Sequence, residues 1–114
     1  MTIRGTLKPT LFSYKVEIGQ RIATFCSFIE ETSEGFKWKE YTLPPEVWNY
    51  DAIVNAIISE EYGLDKMQAI VNNYLLDPGD VTIKDEFTQM QNFRKLAKEK
   101  ALEILKYVED NNLW

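Results

Sequence analysis

The chain carries few side chains that could do chemistry, and the most reactive of them is a lone cysteine. None of its 114 residues is histidine, which excludes histidine-based catalytic triads, histidine metal ligands and the usual proton shuttle at neutral pH. Cys26 lies among Phe25, Phe28 and Ile29. Because apolar surroundings raise the pKa of a thiol and no histidine can deprotonate it, we expect a buried, inert side chain.

The carboxylates and tyrosines form no recognisable catalytic pattern. Asp77-Pro78-Gly79-Asp80 has the outline of a calcium loop but lacks the alternating ligands and the closing glutamate. Glu30-Glu31 and Glu60-Glu61 are adjacent pairs, whereas a hydrolase built on two carboxylates needs them to face each other across the substrate. We therefore predict no catalytic residue, no metal site and no cofactor. An enzyme would need a pocket built from other groups, such as Tyr14, Tyr41, Tyr50 and Tyr62.

Two kinds of ligand recognition stay open. A small-molecule or peptide binding domain would use Trp38, Tyr41 and Trp48, although large aromatic side chains also dominate small cores. Residues 50–62 and 66–76 have the outline of a helix-turn-helix, which would make the protein a nucleic-acid-binding regulator. The second helix offers side chains that can recognise adenine edges, namely Gln68, Asn72 and Asn73. A second feature that could favour nucleic acid is a group of cations on the long third helix, interrupted by Glu99 and Glu103. It consists of Arg94, Lys95, Lys98 and Lys100.

The charge distribution opposes nucleic-acid and membrane partners. Residues 1–48 and residues 83–114 each carry six cations and six anions, so the net charge of −5 belongs to residues 49–82. In that segment Lys66 is the only cation, and an acidic centre repels phosphate backbones and anionic lipid headgroups. No stretch approaches the length of an apolar membrane span, and the N-terminus lacks the apolar stretch of a secretory signal. We expect a cytoplasmic protein.

The spacing of apolar residues changes once along the chain, from the period of strands to the period of helices. Strands are predicted at about 11–18, 22–30 and 36–43, with residues 3–7 as a candidate fourth strand. Helices are predicted at about 50–62, 66–76 and 83–109, capped by Asn49, Asp65 and Thr82. Strands before helices indicate a single α+β domain over residues 1–114, with a three- to four-stranded antiparallel meander followed by three helices. The buried face of the second helix is predicted to be Met67, Ile70, Val71, Tyr74 and Leu75.

The turn between the first two predicted strands sets the register of their pairing. Gly19-Gln20 is predicted as a two-residue hairpin turn, which pairs Val16 with Ala23 and Tyr14 with Phe25. In the third strand the apolar parity changes between Trp38 and Tyr41, and this change predicts a bulge near Lys39-Glu40.

The third helix carries an apolar stripe with a near-seven-residue repeat, formed by Ile83, Phe87, Met90, Arg94, Ala97, Ala101, Ile104 and Val108. Two interpretations are open. The stripe can pack on the protein's own sheet and helices, which is supported by Phe93, Leu96, Leu102 and Leu105, or it can pack on a second chain. A helix of about 40 Å is longer than the roughly 26 Å diameter of a compact domain of this chain length, so we expect one end of the helix to project.

From this geometry we predict a two-fold dimer formed through the C-terminal half of the helix. Alanines allow close helix approach, an arginine in the stripe would set the register, and Leu113-Trp114 adds apolar surface. The predicted interface residues are Arg94, Ala97, Ala101, Ile104, Leu105, Val108 and Trp114. The expected partner is a protein, with no small molecule identified.

Three stretches resemble small uncharacterised proteins encoded in prophages of gut anaerobes. They are YDAIVNAII at 50–58, DKMQAIVNNYLL at 65–76, and residues 87–101; the likeness covers about 45–103. The resemblance implies a phage-related structural, assembly or protein-interaction role rather than metabolism, and a virion-associated location if the protein is a phage structural component. It carries over no site residues.

Overall fold

The computed structural model describes all 114 residues, Met1–Trp114, as a four-stranded antiparallel sheet followed by three helices. The strands are β1 (Thr2–Gly5), β2 (Phe12–Glu17), β3 (Gln20–Thr32) and β4 (Gly35–Thr42). The helices are α1 (Tyr50–Glu61), α2 (Leu64–Leu76) and α3 (Val81–Asp110). The sheet order β1-β4-β3-β2 makes β2, β3 and β4 the predicted meander and leaves β2 at one edge. The predicted α+β class and element order are confirmed.

The register predicted for the first hairpin is wrong by two residues. The turn consists of Ile18 and Gly19, with φ angles of 50° and 73°, so Tyr14 pairs with Ala23 and Phe12 with Phe25. Positive φ at both central residues matches the twist of the flanking strands. A slip of two residues leaves every side chain on its predicted face, which is why the alternation of the sequence could not detect it.

The predicted bulge exists, but it lies in β3 and not in β4. The pairing jumps by one residue between Ser27↔Lys39 and Glu30↔Lys37, so two residues of β3 face Trp38. Within β4 the period of two is unbroken, and the change of parity places Trp38 and Tyr41 on opposite faces of the sheet. Phe28 is one of the two β3 residues that face Trp38, and its φ angle is 54°. Its ring stacks on Phe93 of α3 with centroids 6.2 Å apart.

One of the three predicted helix caps is confirmed. Asn49 caps α1, because its side chain accepts a backbone N–H three residues on at 2.9 Å. Gly63 precedes α2 without a side-chain cap, so Asp65 already lies inside the helix. Asp80, not Thr82, caps α3 by accepting a backbone N–H three residues on at 3.0 Å.

The apolar stripe of α3 packs within the chain itself. Ala97 and Ala101 are fully buried, which lets neighbouring elements approach the helix closely. They share one core with Ile104 and Val108 and with residues of the sheet and α1, including Phe12, Phe25, Tyr41, Ile53 and Ile57. The intramolecular interpretation therefore describes the C-terminal half of α3.

The N-terminal half of α3 packs with α2 as a helical hairpin, defined here as residues 64–96. Ile70 and Met90 are buried but lie outside the main core, and Tyr74 stacks on Phe87 with centroids 4.2 Å apart. The molecule measures 50 × 37 × 24 Å, and this elongated shape accommodates the long helix. The end predicted to project, which carries Ala101, is in the core instead.

The predicted buried face of α2 is wider than the observed one. Ile70 is buried, and Met67, Val71 and Tyr74 are half-buried, but Leu75 is exposed. A helix that packs on one neighbour covers a narrow stripe, so the flanking position faces water.

Candidate interaction surface

The predicted dimer residues do not form a free surface. Ala97, Ala101, Ile104 and Val108 are buried in the core and cannot contact a second chain in this conformation. Leu105 is half-buried against the same core. Arg94 is half-exposed and its Nη1 donates to Gln91 Oε1 at 3.3 Å. Self-association stays a prediction, and it needs another surface.

Trp114, the remaining predicted interface residue, folds back onto the sheet. Its ring lies 6.3 Å from Phe12, 5.8 Å from Tyr14 and 6.3 Å from Trp48, measured between centroids. The Arg21 guanidinium lies 4.0 Å from the centroid of the indole, and its Nη1 donates to the Trp114 carbonyl oxygen at 2.8 Å. We call these four rings, Phe12, Tyr14, Trp48 and Trp114, the aromatic cluster.

The backbone after α3 is shaped to return Trp114 to this position. Asn112 has φ 50°, its N–H donates to Glu109 O at 3.2 Å, and the Leu113 N–H donates to Val108 O at 3.0 Å. These two bonds around a left-handed residue are those of a Schellman motif, which reverses the chain at a helix end.

Glu46 also binds Arg21 and holds it in place. Its carboxylate accepts hydrogen bonds from the Arg21 backbone N–H and from Arg21 Nε, the second at 3.3 Å. The backbone hydrogen bond, then the side-chain hydrogen bond, lower the pKa of Glu46 below its ordinary value. Arg21 thus ties β3, the segment before α1 and the segment after α3 together.

Cys26 is buried, as predicted. Burial, and to a smaller extent the charge of Glu40, raises the pKa of the thiol to about 11. A thiol with such a pKa is protonated near neutrality and is a poor nucleophile.

A pocket of about 230 Å³ lies beside β4, but its charged groups neutralise each other. Lys37 Nζ lies 3.6 Å from Glu30, and Lys39 Nζ lies 3.3 Å from Glu60 and 3.8 Å from Glu61. A polar ligand would have to displace these ion pairs. The pocket is lined by Thr2, Phe28, Glu30, Lys37, Trp38, Lys39, Tyr41, Glu61 and Phe93.

Of the three aromatic residues considered for ligand recognition, Trp38 and Tyr41 line the pocket beside β4, whereas Trp48 belongs to the aromatic cluster. Tyr41 also stacks on Phe25 in the core, with centroids 5.0 Å apart. Burial, then the charges of Glu60 and Glu61, raise the pKa of Tyr41. Of the four candidate tyrosines, only Tyr41 lines a pocket.

The side chains considered for nucleic-acid recognition are exposed on α2, and Arg94 of α3 lines the same pocket as Gln68 and Asn72. Gln68, Asn72 and Asn73 face solvent, and Lys66 is the only cation of α1 and α2. Phosphate contacts from lysine and arginine supply most of the affinity for nucleic acids. The arrangement gives such a ligand little electrostatic attraction.

The clearest unpartnered surface lies at the turn of the helical hairpin. Leu75, Leu76 and Val81 are 71%, 84% and 72% exposed. Only residues 77–80 separate α2 from α3, so the three aliphatic side chains lie at the same end of the hairpin; we call them the hairpin tip. These residues were not among the predicted interface residues. The signal was the run Tyr74-Leu75-Leu76, since a helix packed on one neighbour cannot bury three consecutive apolar residues.

Two further features bear on function class. No three or more acidic or cysteine side chains lie together as a metal site would need. None of the three helices combines the length and the apolar composition that a membrane span requires.

Comparison of the chain with protein-family models, with curated proteins and with solved structures found no match in any of the three.

Proposed function

We propose that this protein is a non-enzymatic interaction protein that binds a protein partner through the hairpin tip. This fits the structural or assembly role that the resemblance to phage-encoded proteins implies. The observation that carries the proposal is the exposure of three large aliphatic side chains at one end of the hairpin. Burying each of them in a partner would contribute roughly 1.5–3 kcal/mol.

The hairpin tip is held ready for binding. Directly behind it Tyr74 stacks on Phe87 at 4.2 Å, and Asp80 caps the first turn of α3. Because both leucines are on the last turn of a helix that is already packed, binding would order little new backbone.

Charge indicates the chemistry of the partner. Asp77 and Asp80 lie in the turn itself, and residues 49–82 contain six carboxylates against one lysine. A complementary surface would therefore be an apolar groove rimmed by lysine or arginine, and salt should slow its association with the tip.

The test compares two variants of α2 that remove exposed leucines. Leu75→Gln combined with Leu76→Gln alters the tip, whereas Leu64→Gln alters a leucine of similar exposure (67%) at the other end of the helix. The probes are the purified products of the neighbouring genes, titrated by calorimetry. We expect one of them to bind the wild type and Leu64→Gln equally, and the double variant at least about tenfold more weakly.

Unchanged binding of the double variant, or equal weakening by Leu64→Gln, would place the contact elsewhere on the molecule. If none of the gene products binds the wild type, the proposal fails for that set of partners. Circular dichroism of both variants should match the wild type, since neither substitution enters the core.

A further inference from the structure

We propose that two copies of this chain pair antiparallel through the edge strand β2, with Val16 opposite the partner's Val16. Two four-stranded sheets would then join into one sheet of eight strands. This inference rests on the strand and its charges, and it is independent of the hairpin tip.

The backbone of β2 has hydrogen-bonding groups free on its outer side. The two-residue turn makes Glu17 and Gln20 a hydrogen-bonded pair. Bonds to β3 then recur at every second residue, in agreement with the Cys26 N–H donating to Leu11 O at 2.9 Å. The peptide groups of Tyr14 and Val16 consequently point away from the sheet. No backbone group of residues 12–18 makes a hydrogen bond outside the strand ladder.

One face of this edge strand exposes large apolar side chains. Tyr14 and Val16 share the face of the buried Phe12, yet they are 46% and 62% exposed, and Ile18 at the turn is fully exposed. The strand contains no proline and its pairing with β3 shows no bulge. Exposed edges with these properties tend to pair with another chain.

Charge selects the register. The opposite face carries Ser13, Lys15 and Glu17, and Lys15 Nζ lies 2.9 Å from Glu17 within the chain. Pairing centred on Val16 sets each Lys15 opposite the partner's Glu17, at the closely spaced sites between hydrogen-bonded pairs. Four charges of alternating sign would meet across the two-fold axis.

The other registers that keep the faces aligned lack this match. Pairing centred on Lys15 sets the two lysines opposite each other, which is repulsive. Pairing centred on Tyr14 sets Lys15 opposite the partner's Ser13 and leaves Glu17 opposite the partner's Leu11. Of these three registers, only the one centred on Val16 sets each charged side chain of the strand opposite a charge of the other sign.

The test is a charge swap followed by sedimentation velocity at tens of micromolar protein and low salt. Lys15→Glu should weaken the dimer about tenfold, because two attractive pairs become repulsive. Lys15→Glu combined with Glu17→Lys should restore it. Lys8→Glu, an exposed charge outside the strand, is the matched control and should leave the mass unchanged.

Cysteine substitution reports the register directly. Under mild oxidation Val16→Cys should cross-link to its own counterpart, and Ser13→Cys should not, since the proposed register sets these sulfurs far apart. A monomeric wild type, a failure of the charge swap to restore the dimer, or preferential cross-linking of Tyr14→Cys would overturn the proposal. A dimer lost on Leu75→Gln with Leu76→Gln would place self-association at the hairpin tip and would also overturn it.

Discussion

At the scale of single residues, Arg21 connects three segments of the chain. Its backbone lies in β3, its guanidinium lies on Trp114, and both its backbone and its side chain donate to Glu46. Nothing in the sequence around Arg21 distinguishes it, because an arginine at the start of a strand is common. Its importance depends on partners 25 and 93 residues away, and no local pattern reports such distances.

Glu46→Gln should lower the melting temperature by a few degrees at neutral pH. The pKa of Glu46 lies below its ordinary value of 4.5 in the folded state, so its stabilising effect is complete above that pH and is lost as the pH falls through the folded pKa. The difference between variant and wild type should therefore shrink in acid. Thermal melts across this pH range check it, with Glu34→Gln as the control.

A difference between Glu46→Gln and wild type that persists in strong acid would show that the carboxylate acts through packing and not through charge.

At the scale of elements, the sequence predicted the number, type and order of helices and strands, because these follow from apolar periodicity. The prediction was wrong where two arrangements of neighbouring residues suited the same turn or helix cap equally well. Gly19 could occupy either central position of the turn, and a β-branched residue such as Ile18 is disfavoured at positive φ. Asp80 and Thr82 are both good caps. The stripe of α3 specified which face is apolar but not what covers it, so the dimer surface was assigned to core residues.

The end of α3 offers a matched pair of substitutions. Asn112→Gly should leave stability unchanged or slightly improved, since glycine accepts the left-handed conformation freely. Asn112→Val should cost about 1–2 kcal/mol, because a β-branched residue is strained at φ 50°. Urea denaturation followed by far-ultraviolet circular dichroism measures both. Equal stability of the two variants would contradict the assigned backbone conformation.

At the scale of the whole molecule, the protein consists of a main core and a smaller apolar seam. The main core joins the sheet, α1 and the C-terminal half of α3, whereas the seam in the helical hairpin is built on Ile70, Met90 and the Tyr74–Phe87 stack. A single helix runs through both parts. The two proposed contact surfaces lie on different parts, the hairpin tip on one and β2 on the other.

Hydrogen exchange should distinguish the two parts. The smaller seam opens at lower free energy than the main core, so amides of α2 and of residues 84–92 should exchange faster than those of residues 97–108. Mass spectrometry of exchanged peptides measures this. Uniform protection along α3 would mean that the hairpin and the core unfold as one cooperative unit.

The aromatic cluster gives the molecule an optical signature of its own. Trp48 and Trp114 hold their indoles 6.3 Å apart at an interplanar angle of 38°, with the cation of Arg21 against the second ring. Rings fixed in a chiral setting produce near-ultraviolet circular dichroism that vanishes when packing is lost. Docking of Trp114 can thus be followed by light alone, without any label attached to the chain.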